Sequence, residues 1–142
     1  MLALPGEERD ILTLVRAGVM LLLCVLSGPV LADWTAVGGD GTIFTAYADR
    51  DSIRRKGGSA RMRGLYDYAR PDLTPEGDAF SSTTVEREYD CAERLVRLLA
   101  HVDHSGRMGA GRVVASASRI GRWEAVLPGA VDEGFWNLAC GG

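Results

Sequence analysis

The chain has 142 residues, 46% hydrophobic and 25% charged, with a formal net charge of −3. One globular domain is the default at this length, and the composition excludes a disordered chain, which would be poor in apolar residues and strongly charged. The near balance of charge excludes the strong basic excess typical of a nucleic-acid binder.

In chain order, the first feature is an apolar run, AGVMLLLCVL over residues 17–26, broken by Ser27, Gly28 and Pro29. Val30 and Ala32 then place small residues at −3 and −1 of a cut between Ala32 and Asp33. Apolar core, breaker and small-residue site are the layout of a cleavable secretory signal over residues 1–32. The run is too short for a membrane anchor, which needs about 20 apolar residues. The segment before it carries Glu7, Glu8 and Asp10 against Arg9 and Arg16, an acidic start for a signal. A start near Leu14 or Val15 would leave a free amine and Arg16 as the basic end. Leu23 immediately before Cys24 does not fit a lipoprotein signal, so Cys24 reads as one more apolar residue. Removing residues 1–32 leaves a domain of net charge −2 over residues 33–142, with no membrane span expected in the mature form.

That domain keeps two cysteines, Cys91 and Cys140. An even number in an oxidising compartment implies a disulfide. Closing a loop of 48 residues stabilises by about 4 kcal/mol in the chain-entropy model. There is no C-x-x-C for redox chemistry.

The rest reads as short strands between turns. Residues 34–37 and 42–48 flank Gly38-Gly39-Asp40-Gly41, a hairpin signal. Residues 49–52 read as a polar turn, and Gly57-Gly58 as another. Over residues 60–68, Met62, Tyr66 and Tyr68 alternate with Arg61, Arg63 and Asp67, the period of a strand with one buried face. Residues 71–78 read as a loop. Over residues 80–91, Val85, Tyr89 and Cys91 share a face, and Glu86, Glu88 and Asp90 share an opposite, solvated one. Residues 92–103 fit a helical turn or a strand; Val96 and Val102 favour a strand with Val96, Leu98, Ala100 and Val102 on one face. Residues 105–111 are a glycine-rich turn, 112–118 a strand and 123–127 a short extended piece. The last element is a helix after Pro128-Gly129, with Asp132 and Glu133 suited to its N-terminus, an apolar stripe of Val131, Phe135, Leu138 and Trp136, and Gly141 as its stop. The predicted fold class is α+β: a mostly antiparallel sheet of about five to seven strands with one C-terminal helix on a face.

Trp34, Tyr47 with Asp49, Asp51-Ser52-Ile53-Arg54, Leu65 with Asp67-Tyr68, Ser81, Tyr89-Asp90-Cys91, Arg94, Arg97, Gly111 with Val113-Val114, Trp123 with Pro128, and Cys140 follow one another in an order that resembles the surface-adhesin protein E family of Gram-negative bacteria. The resemblance covers nearly all of residues 34–140. It implies an exported domain, periplasmic, surface-displayed or secreted, with an antiparallel sheet and a C-terminal helix tied to it by the disulfide. For the family's named members it implies host-surface adhesion. The sequence departs from the family's pattern at Arg63, near a place usually held by tryptophan.

No motif for catalysis or for a cofactor stands out. His101 and His104 lack the third and fourth ligands a zinc site needs. Glu86, Glu88, Asp90 and Glu93 read as a solvated strand face rather than a glycosidase pair, which needs a cleft. The serines lack a nucleophile elbow, and residues 38–41 lack the Lys-Ser/Thr of a phosphate loop. The one local basic cluster is Arg54, Arg55 and Lys56 with Arg61 and Arg63. Its plainer reading is charge that keeps an edge strand from aggregating. It is also the strongest candidate binding surface, for a host matrix protein or an anionic envelope component such as a glycan or lipopolysaccharide. The expected function is a non-enzymatic binding module of the cell envelope; the alternative is a periplasmic structural or accessory protein without a host ligand.

Overall fold

The computed structural model describes residues 32–141; the expected signal segment lies outside them, apart from Ala32. Seven strands follow in order: β1 (Trp34–Gly38), β2 (Phe44–Lys56), β3 (Ser59–Leu73), β4 (Ala79–Asp90), β5 (Leu95–His104), β6 (Val113–Ser118) and β7 (Glu124–Ala125), before the helix α1 (Val131–Cys140). All pairs are antiparallel and the spatial order β1-β2-β3-β4-β5-β6 repeats the chain order. β7 pairs with β5 beyond the part that β6 occupies. The predicted α+β class, the sheet and the C-terminal helix are all present.

One face of the sheet carries the helix. Ala46, Ala48, Ala60, Met62, Tyr89 and Val96 alternate onto it and meet Phe135 and Ala139 of α1 in one buried cluster. Small residues set how closely the helix approaches. A Cβ on Gly64 would stand 2.9 Å from the Phe135 ring, and one on Gly134 would stand 2.4 Å from the Val37 carbonyl oxygen. Cys91 and Cys140 are joined at a Cα separation of 5.6 Å, fixing the last turn of α1 to the end of β4. The Trp136 indole N–H donates to the Asp90 carbonyl at 3.0 Å, and the Arg94 guanidinium lies 4.6 Å from its ring.

An arginine is built into this core. Arg87 lies on the helix face, donating to the Tyr66 hydroxyl at 2.8 Å and to Asp132 of α1 at 2.9 Å. Its guanidinium also stands over the Tyr66 and Phe135 rings. Burial works against its charge, but Tyr66, Tyr89 and Asp132 outweigh that and hold the proton more tightly than usual. Burial pushes the Tyr66 and Tyr89 hydroxyls up. The sequence pattern gave no hint of Arg87, because a cation sits where alternation calls for an apolar residue.

Four expectations need correction. Residues 49–52 do not turn: β2 runs through them, with its register against β3 shifting between Asp49 and Arg54. The Ser52 hydroxyl spans the irregularity, donating to the Asp49 carbonyl at 2.6 Å and accepting from the Arg63 amide at 2.8 Å. The loop expected at 71–78 is shorter, since Asp72 and Leu73 pair with Phe80 and Ala79. The stretch 92–103 becomes strand from Leu95, but a register shift lets Leu99 intervene between Leu98, opposite Arg87, and Ala100, opposite Glu86. Leu98 therefore does not share a face with Ala100 and Val102. Finally, the opposite face of the sheet is not uniformly wet: Leu65 and Asp67 are buried on it.

Their cover is the glycine-rich segment 105–111, which folds back onto the sheet. Its Arg107 and the Met108 amide both bind the Asp67 carboxylate, at 2.9 and 2.8 Å. The Ser82 hydroxyl donates to the Gly106 carbonyl and accepts from the Gly109 amide. Burial raises the Asp67 carboxyl, yet the Arg107 and Met108 hydrogen bonds and the Arg107 charge overcome it and hold the group below the usual carboxylate range.

Candidate binding face

The strand register decides where the basic cluster goes. Arg54 pairs with Arg61, Arg61 with Glu88, and Glu88 with Arg97, so these four form one row across β2, β3, β4 and β5. They lie on the face opposite α1. The row ends at Trp123, whose ring is 4.3 Å from the Arg97 guanidinium. With strands about 4.8 Å apart, its four charged positions span about 14 Å. Lys56 lies on the same face, two positions beyond Arg54.

The chemistry of the row centres on Glu88, which is buried although alternation placed it in water. Its carboxylate accepts from Arg61 Nε at 3.2 Å on one oxygen and from Arg97 Nε at 2.9 Å on the other. One carboxylate thus holds two guanidiniums in fixed positions, and both side chains keep some exposure, 55% for Arg61 and 27% for Arg97. Arg54 donates to the Asp51 and Ile53 carbonyls. Neither Arg54 nor Lys56 meets a carboxylate among the described residues. A shallow depression lined by Arg54, Arg55, Lys56, Ser59, Arg61 and Glu88 opens at this end. Along the row three cations are set against one carboxylate; Lys56 adds a fourth cation from the next row, which holds Asp90 beyond Ser59.

Two members of the predicted cluster are already committed to partners within the molecule. Arg55 pairs with Ala60 and belongs to the helix side, where it donates to the Ala139 carbonyl at 2.9 Å and the Leu138 carbonyl at 3.4 Å. It caps the negative end of α1, a structural use of its charge. Arg63 is paired with the buried Asp49 at 2.7 Å. Conversely, Arg97 and Trp123 were not grouped with the cluster in sequence; only the register brings them 36 or more positions along the chain to join Arg61.

The other candidate chemistry does not assemble. His101 lies opposite Val85 on the helix side, while His104 faces the other way and contacts the Thr84 hydroxyl at 2.9 Å. Burial lowers the His104 pKa. Among the described residues no three His, Cys, Asp or Glu side chains gather as metal ligands, and no helix is long and apolar enough to cross a membrane.

Residues 34–141 match the family described as surface-adhesin protein E. The chain belongs to that family. Structures of Haemophilus influenzae protein E share the fold: one crystal form has 13% identity and a TM-score of 0.62, covering 80% of this chain and 91% of that one. A second has 14% identity, a TM-score of 0.61 and coverage of 82% and 91%. Protein E from a non-typeable strain has 13% identity, a TM-score of 0.55 and 74% coverage of each chain. No curated protein matches the chain. Family membership points to a surface adhesin-like protein rather than an enzyme.

Proposed function

We propose that this member of the family is a non-enzymatic, exported binding module of the bacterial cell envelope, and that the row Arg54–Arg61–Arg97 with Lys56 and Trp123 is its binding surface for an anionic partner, either a host matrix protein or an anionic envelope component. The observation that supports this reading is the Glu88-centred arrangement, which fixes two guanidiniums on the face that α1 leaves open. Fixed arginines meet carboxylate, sulfate or phosphate with little further loss of side-chain freedom. The test is retention of the purified protein on immobilised heparin and on lipopolysaccharide. Replacing Arg54, Lys56 and Arg61 with serine should weaken retention, and added salt should weaken it further, because exposed charge is screened. Salt-insensitive retention that survives the triple change would overturn the assignment.

The domain boundary belongs to the same proposal: residues 1–32 are removed and the exported protein starts at Asp33, which N-terminal sequencing checks. A periplasmic accessory role draws support from the internal use of Arg55, Arg63 and Arg107. Cell fractionation separates the readings, since an adhesin must reach the outer surface.

A further inference from the structure

We propose that the free edge of β6 docks an extended acidic segment of a partner protein, which joins the sheet as a further strand beyond β6. The spatial order ends at β6, and β5 is its only ladder partner among the described residues. An edge strand presents unpaired N–H and C=O groups, and natural sheets normally protect them with charge, proline, bulges or a covering element. The two edges of this sheet differ in that respect. β1 carries a register irregularity between Ala36 and Gly38, and α1 comes close to its backbone at Val37. β6 has a register irregularity only at its first end, between Val113 and Ala115, and no charge, proline or covering element over the rest of its length. Its residues are VVASAS, without charge, proline or glycine, and only Val114 and Ala115 are partly covered.

The occupant is indicated by charge. Residues 105–123 contain Arg107, Arg112, Arg119 and Arg122 and no Asp or Glu, in a chain whose overall charge is −3. Arg107 is committed to Asp67. Arg112 and Arg119 bracket β6 at its two ends, about 24 Å apart along an extended chain. A partner strand with neutral side chains at its centre and carboxylates at both ends satisfies the backbone ladder and both arginines. A second copy of this chain does so less well. Antiparallel self-pairing centred on β6 sets Arg112 of each copy opposite Arg119 of the other, and like charges directly opposed are destabilising. Strand addition of this kind draws affinity from main-chain hydrogen bonds and selectivity from flanking side chains.

The probe is a fluorescent peptide of about ten residues, alternating valine and threonine, with two aspartates at each end. A second peptide carries proline at alternate central positions. Binding is read by anisotropy and by amide hydrogen exchange of the intact protein. The expected result is binding of the first peptide with exchange slowed about ten-fold or more over Val113–Ser118, loss of binding by the proline peptide, and affinity reduced about ten-fold in the R112E/R119E variant. Three results would overturn the proposal: no binding at millimolar peptide, equal binding of the proline peptide, or slowed exchange confined to other strands. Slowing of β6 that depends on protein concentration alone, with a dimer in sedimentation, would assign the edge to a second copy and also refute it. Should R112E/R119E fail to fold, the proline comparison on the unaltered protein still decides.

Discussion

The two faces of the sheet use arginine in opposite ways. On the helix face Arg87 is enclosed between Tyr66, Phe135 and Asp132, and its charge is spent inside the molecule. On the open face Arg61 and Arg97 share one carboxylate and remain partly exposed. A buried cation with complete partners holds elements in register. An under-neutralised row at the surface has charge left for something else. The difference shows that counting basic residues along β2 and β3 is a poor guide to a binding surface. What matters is which face each residue takes and how much opposing charge it meets there.

The largest expected effect tests the helix face. Cys140→Ser should cost about 4 kcal/mol in the chain-entropy model, lowering the melting temperature by about 15 °C or more. Thermal melts with and without reductant, and a thiol count on the unfolded protein, check this. Identical melts would show that packing alone secures α1. Next comes Gly64→Val, which drives a side chain into the Phe135 ring and should cost about 1–3 kcal/mol by overpacking. Gly58→Ala, where an added Cβ meets nothing within 4 Å, is the control and should be nearly neutral in urea denaturation.

Glu88→Gln tests the open face and has a sign that sharpens the contrast. It removes the one carboxylate of the row, whose buried oxygens each accept from an arginine, so stability should fall by about 1.5–3 kcal/mol while heparin binding tightens. Weaker binding in this variant would mean that Glu88 orders the arginines more than it neutralises them. The smallest effect is on pH. Asp67 has a lowered pKa in the folded state, so its contribution is present above the ordinary value of 3.8 and is lost as pH falls through the lower folded value. Hydrogen exchange at pH 5 and pH 3 should show residues 105–111 losing protection before the sheet or α1.

Much of the helix face was legible in the sequence. Met62, Tyr66, Val85 and Tyr89 alternate cleanly, the apolar stripe of 131–138 is helical in period, and two remaining cysteines leave one pairing. These signals are local, or follow from parity. The open face is not legible where burial comes from distant chain. Asp67 looks solvent-facing until Arg107 and Met108 cover it from 40 positions away. Glu88 looks wet until arginines from β3 and β5 close around it. Residues 49–52 have the composition of a turn, and only the Ser52 hydroxyl, standing in for ladder contacts, shows why the strand continues. In β5 the adjacent Leu98 and Leu99 conceal the shift that changes parity, because either could be the inward residue.

The meander has a consequence for how the molecule comes into being. Each of β2 to β6 hydrogen-bonds to the strand made just before it, so every pairing closes only a short stretch of chain and loses little loop entropy. A chain delivered N-terminus first can therefore extend its sheet strand by strand. β7 skips back to β5, and α1 returns furthest, to β1 and β2 from the far end. Cys91 accordingly waits through 48 residues for its partner, and the covalent bond records completion of the fold rather than guiding its beginning.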